Sequence, residues 1–135
     1  ITLLDKLKAR GQRRYVRFGS NAEEIAGIEF VRKNKTYRGT VHDISAAGLS
    51  FSLPSTFSFP VRSKIREFSI DINGEKVSLS GTVTIKRKLP SGHILHVLMF
   101  DKGHSQEISD RLHFIIHSSL QRQFTVRLES VAIPE

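Results

Sequence analysis

The chain has 135 residues, 39% of them hydrophobic and 25% charged, which is enough apolar material for one core and one domain. It has no cysteine, which excludes a disulfide framework, a thiolate metal site and a catalytic thiol. Its 21 basic residues against 13 acidic ones give a net charge of +8 and point to an anionic partner, whether a nucleotide, a nucleic acid or an acidic protein. No apolar run approaches the roughly 18 residues of a membrane span, and nothing at the start resembles a signal peptide, so the expected location is cytoplasmic. The chain begins at Ile1 rather than Met and is expected to be a piece of a longer protein.

Residues 1–9 read as a short helix, with Leu3, Leu4 and Leu7 on one side and Lys6 and Lys8 on the other. A segment this short is marginal alone, so residues 1–10 are expected to pack on the domain or link it to one upstream. Four arginines follow within eight positions: Arg10, Arg13, Arg14 and Arg17. Guanidinium is planar and permanently charged, with forked donors that match phosphate oxygens or a guanine edge. The same spacing also fits a solvated basic face of one helix. Gly11 is a poor helix former, and Tyr15, Val16 and Phe18 favour extended chain, so a loop running into a strand is expected. Residues 20–23 are polar and turn-like.

Strands follow. Ile28 and Phe30 alternate with Glu29, and Arg32-Lys33-Asn34-Lys35 makes a polar turn into Tyr37–Ile44. Leu49, Phe51 and Leu53 alternate with Ser50 and Ser52, the period of a half-buried strand. Residues 54–60 form a loop whose Phe57 and Phe59 cover an end of the core. Phe68, Ile70 and Ile72 lead into Asn73-Gly74, a strong hairpin signal, and a long alternating strand runs from Val77 to Ile85. After the Lys86-Arg87-Lys88 turn region, His93–Phe100 is apolar on both faces and reads as a central strand. Ser105 is the expected N-cap of a helix with Ile108, Leu112, Ile115, Ile116 and Leu120 along one stripe and Arg122 at its end. Residues 126–131 read as a last strand or a tail. The whole is mainly β: a small antiparallel six-stranded barrel with a short N-terminal helix and a C-terminal helix.

A second motif lies where one strand ends and the next begins, Asp43-Ile44-Ser45-Ala46-Ala47-Gly48. Asp43 and Ser45 share a face of an extended chain. The carboxylate can accept from a guanine edge or orient an arginine, the serine adds a hydroxyl, and Gly48 lets a ligand or backbone come close. An ordinary Asp/Ser turn closed by glycine has the same composition.

Arg13-x-x-x-Arg17, about thirty residues ahead of Asp43-x-Ser45-x-x-Gly48, resembles the PilZ domain, a family of bacterial receptors for cyclic di-GMP. The resemblance spans roughly Gly11 to Leu120 and implies a six-stranded barrel in residues 11–135 with the dinucleotide held between an arginine loop and the barrel. On this resemblance Arg13 and Arg17 grip phosphates and guanines, Arg14 assists, Asp43 and Ser45 contact a guanine and the arginines, and Gly48 permits close approach. It also implies a partner: an effector protein or a fused N-terminal domain that hears the signal. Two positions depart from the family pattern. Val97 stands in the late strand where a smaller residue is common, and narrows the site if it faces the ligand. Gln12 precedes the first motif arginine, a position associated with whether one or two ligand molecules bind.

His113 and His117 have i, i+4 spacing on the helix but lack assured further ligands, so no metal is expected. No serine, histidine and acid arrangement offers a nucleophile, so no enzymatic activity is expected. The alternative function is a basic barrel binding RNA or single-stranded DNA, with Tyr15 or Phe18 as stacking platforms.

Overall fold

The computed structural model describes residues 15–18, 25–54 and 57–132, with side chains through Gln123. The expected N-terminal helix over residues 1–9, Gln12, the arginines Arg10, Arg13 and Arg14, and the turn at 20–23 lie outside the described residues. Among the described residues seven strands and one helix follow in order: β1 (Tyr15–Arg17), β2 (Ala26–Arg32), β3 (Lys35–Ser45), β4 (Gly48–Leu53), β5 (Lys64–Ile72), β6 (Glu75–Lys88), β7 (Ile94–Phe100) and α1 (Gln106–Ala132).

Six strands close a ring in the order β3-β2-β5-β6-β7-β4, and β4 pairs back onto β3 to seal it. The seventh, β1, is short and extra; it pairs with β3, through Tyr15↔Ser45, Val16↔Ile44 and Arg17↔Asp43. All pairings are antiparallel, and short turns join β2 to β3, β3 to β4, β5 to β6 and β6 to β7. Lys33 and Asn34 both take positive φ, at 52° and 64°, as do Asn73 and Gly74, at 53° and 92°. Two consecutive left-handed residues give the turn twist that matches a hairpin. Asn73 also reaches across to Ile25. Its N–H donates to the Ile25 carbonyl at 2.7 Å, and its Oδ1 accepts the Ile25 N–H at 2.9 Å. That contact pins the entry into β2.

The interior is built from the inward residues of the strands, alternate ones except where a bulge shifts the phase, as in β3. Ile28 and Phe30, Val41 and Ile44, Leu49 and Phe51, Phe68 and Ile70, and Leu79 and Val83 all point inward and are buried. One end is filled by aromatics: Phe30 and Phe57 each lie 4.7–6.3 Å from the other and from both Tyr37 and Phe59. The expected role of Phe57 and Phe59 as a lid on the core holds. The expectation of a half-buried β4 does not, because all six of its residues are buried. Ser50 and Ser52 look like a solvent-facing period in sequence, but both are buried and their hydroxyls meet Asp43 and His42 of β3.

The helix begins as expected. Ser105 Oγ accepts the Ile108 N–H at 3.2 Å, and Leu112, Ile115 and Ile116 bury against the barrel. It does not stop near Arg122. The expected strand or tail over 126–131 is helix to Ala132. Thr125, Val126 and Val131 favour extended chain, but each costs the helix less than about 1 kcal/mol. With no Gly or Pro between Gln106 and Ala132, nothing interrupts propagation once the nucleus exists.

Candidate functional site

Val16 and Phe18 are the apolar positions of the first described segment, and both are buried. The Phe18 N–H also donates to the His42 carbonyl at 2.7 Å. With those two side chains inward, the pleat turns Tyr15 and Arg17 outward. Phe18 is therefore core and offers no stacking platform, contrary to one expectation of the nucleic-acid alternative. Arg17 lies opposite Asp43, and its Nε donates to Asp43 Oδ1 at 3.0 Å. Its guanidinium carbon sits 5.7 Å from the centre of the Tyr15 ring. The Arg17 side chain is 55% exposed whereas that of Asp43 is 7% exposed. A carboxylate so nearly buried needs a partner, because desolvation without one is costly.

Asp43 has a second partner: Ser50 Oγ donates to its Oδ2 at 3.0 Å. Each carboxylate oxygen is thus engaged, one by the arginine and one by the serine. The register carries this row further, since Ser50 pairs with Val97 and Val97 with Ile85. Directly paired residues share a face, so Val97 lies on the same face as Asp43 and Ser50. The departure at Val97 therefore borders the site, and the side chain is buried there.

A shift in register between Val41 and Asp43 marks a bulge. Val41 and Ile44 remain inside, so the extra residue places His42 and Asp43 together on the outer face. His42 Nε2 lies 2.8 Å from Ser52 Oγ. Burial pushes its pKa below the ordinary imidazole value; the Asp43 carboxylate opposes this and His93 adds to it.

The other two motif residues are occupied in the turn. Ser45 Oγ accepts the Ala47 N–H at 3.1 Å and donates to the Gly48 carbonyl at 3.4 Å. A Cβ on Gly48 would stand 2.3 Å from the Leu98 carbonyl oxygen and 3.2 Å from the Met99 Cα. What approaches Gly48 is the backbone of β7, where the barrel closes. Sequence reasoning missed Ser50 and His42 as neighbours of Asp43. Ser50 was legible only as a polar position in an alternating strand, and the bulge that exposes His42 has no residue signature here. His113 and His117 are both exposed, and among the described residues no group of His, Asp or Glu could hold a metal ion. Among the described residues no helix is long and apolar enough to cross a membrane.

The class defined by this geometry is a small closed antiparallel barrel that displays a strand-borne arginine on a buried aspartate beside its closing turn. The family model for the PilZ domain matches residues 11–115, and the chain belongs to that family. Among solved structures it is similar to YcgR from Escherichia coli in complex with c-di-GMP (14% identity, TM-score 0.69, covering 90% of this chain and 50% of that one). It is similar also to the K. pneumonia MrkH–c-di-GMP complex (15% identity, TM-score 0.69, 86% and 55%). The PilZ domain of YcgR with c-di-GMP matches over 92% of this chain and 99% of that one, at 12% identity and TM-score 0.65. At such identities the likeness is one of fold, and the chain spans about half the length of the first two. No curated protein matches the sequence.

Proposed function

We propose that this domain is a receptor for cyclic di-GMP and that the ligand sits on the outer face carrying Arg17 and Asp43. The observation that supports this most is the 3.0 Å pair between them, since it joins two motifs 26 residues apart on neighbouring strands. Asp43 orients the guanidinium, and Ser50 holds the carboxylate. Arg17 then supplies forked donors to a phosphodiester or the guanine edge, chemistry that cyclic di-GMP offers twice over. Arg13 and Arg14, just ahead of β1, are the further cations of the site. Ser45 and Gly48 shape the turn beneath it. Val97 forms a wall of the site and limits how deeply a guanine can settle.

The domain acts by binding rather than by catalysis. Ordering the segment that bears Arg13 and Arg14 on the ligand would relay the signal to an attached domain or a partner, because that segment leads into β1. Calorimetric titration with cyclic di-GMP, with cyclic di-AMP as control, tests this. Arg17→Ala removes a charge-assisted contact of about 1.5–3 kcal/mol, so affinity should fall roughly ten- to a hundredfold. No saturable binding at high ligand concentration, or equal binding of the adenine analogue, overturns the proposal.

A further inference from the structure

The antiparallel topology puts the β2–β3 turn, the β4–β5 connection and the β6–β7 turn at one end of the barrel, and the Ser45–Gly48 turn at the other. Lys35 and Ser45 bound the same strand, so the two ends are separated by about 33 Å of chain at ~3.3 Å per residue. The far end is built from residues 30–40, from 52–54 with 57–66, and from 82–96. These segments carry four, three and three lysines or arginines and not one aspartate or glutamate. Two of the ten have acidic partners, Arg38 with Glu29 at 2.7 Å and Lys64 with Asp101 at 3.4 Å. Among the described residues no carboxylate pairs with the other eight.

Three contacts gather the cations around the β4–β5 connection. The Arg32 guanidinium carbon lies 5.3 Å from the centre of the Phe57 ring, and Lys35 Nζ lies 5.7 Å from that of Tyr37. Lys86 Nζ donates to Ser58 Oγ at 3.4 Å, and Lys88 is on the same side of β6. Like charges held this close repel one another in water and gain from a shared polyanionic surface.

The apolar groups at this end decide what kind of surface. Tyr37 and Phe57 stack on each other at 4.7 Å and carry cations over their faces, so neither ring is an open platform for a base. The exposed apolar groups are aliphatic instead. Val31 is 68% exposed and Val61 46%, and each directly precedes an exposed cation, Arg32 and Arg62. Exposed aliphatics beside clustered cations suit a lipid surface, where methyl groups enter the headgroup layer and cations meet acidic lipids.

We propose that the end of the barrel bearing Arg32, Lys35, Lys86 and Lys88 docks on an anionic membrane surface, with the Arg17–Asp43 face left open at the other end. Flotation of the 135-residue chain with vesicles of equimolar phosphatidylcholine and phosphatidylglycerol, against phosphatidylcholine alone, tests it. Binding to the anionic vesicles only, weakened by salt, is expected. Each cation near such a surface contributes about 1 kcal/mol, so Lys86→Ala with Lys88→Ala should weaken partitioning roughly thirtyfold. Lys102→Ala, away from this end, should leave it within about twofold, and Val61→Ser should weaken it without any change in charge. Unchanged melting curves show that the variants fold. The proposal is overturned by no flotation at low salt, by equal losses in the Lys102 and Lys86/Lys88 variants, or by single-stranded RNA or polyglutamate displacing the protein from the vesicles at equal charge. None of these outcomes depends on cyclic di-GMP.

Discussion

His96 is fully buried and serves as an acceptor: its Nε2 takes the Phe59 N–H at 3.1 Å, and its ring stacks on Phe51 at 4.9 Å. Its pKa falls from 6.5 to about 4, mainly through burial; the Ile94 backbone opposes the shift and the Lys86 ammonium adds to it. A depressed histidine pKa means that the unfolded chain takes up the proton first as pH falls. The stabilisation is complete above pH 6.5 and is lost between 6.5 and 4. The shift corresponds to about 3 kcal/mol, at 1.36 kcal/mol per unit. Protonation also removes the acceptor of the Phe59 N–H, so the aromatic lid should loosen with it. His42, depressed in the same direction, contributes with the same sign, and the growing positive charge of the chain adds a general penalty. Urea unfolding of the protein and of His96→Gln at matched pH values isolates the one histidine. Near neutrality the variant should be the less stable, because it loses the ring stack on Phe51. Towards pH 4 the gap should close by about 2–3 kcal/mol and can change sign. A gap constant to within about 0.5 kcal/mol across that range would refute the assignment.

Gly48→Ala drives a methyl group into the Leu98 carbonyl, so β4 and β7 must part; a loss of about 3 kcal/mol and a fall in Tm near 10 °C are expected by calorimetry, and a neutral result would mean that the seam gives way easily. Asp43→Asn keeps an acceptor for Arg17 but removes the charge, so cyclic di-GMP affinity should fall roughly tenfold while the fold melts within a few degrees of normal, as titration and melting curves together would show. Gln123 Nε2 donates to the Arg17 carbonyl at 3.1 Å, tying α1 to β1. Gln123→Ala should raise hydrogen exchange in β1 by about fivefold, for the loss of about 1 kcal/mol, and leave β5 and β6 unchanged.

The strands were legible because their inward residues follow a period of two with large apolar side chains, from Ile28 and Phe30 through Phe68, Ile70 and Ile72. The Asn73-Gly74 turn was legible because few other pairs take two positive φ values cheaply. The burial of β4 was not legible. Its serines are polar by type yet buried, and their hydroxyls pair with side chains of β3, Ser50 with Asp43 and Ser52 with His42. The helix end was misread because β-branched residues between 125 and 131 favour strand locally, while the preceding turns decide the outcome. Of the candidate site, the sequence named Arg17 and Asp43 but not the serine behind them.

The residues of the second motif divide their labour by position on the barrel. Ser45 and Gly48 face the turn and the seam, where a hydroxyl closes a local loop and a missing Cβ admits β7. Asp43 faces outward only because the inward phase of β3 shifts by one residue after Val41, so that Ile44 rather than Asp43 enters the core. Strict alternation from Val41 would turn Asp43 inward, against apolar side chains, and the Arg17 partner would be lost. The site therefore requires the change of phase, and His42 is the extra residue that absorbs it. Deleting His42 separates the two. Val41, Asp43 and Ile44 would then alternate in, out, in with no bulge, and Asp43 would keep its pairing with Ser50. The deletion protein should bind cyclic di-GMP within about fivefold of normal, while losing about 1 kcal/mol of stability with the His42–Ser52 hydrogen bond. Titration and urea unfolding would show both. A deletion protein that stays folded by circular dichroism yet no longer binds would refute this account of how the carboxylate reaches the surface.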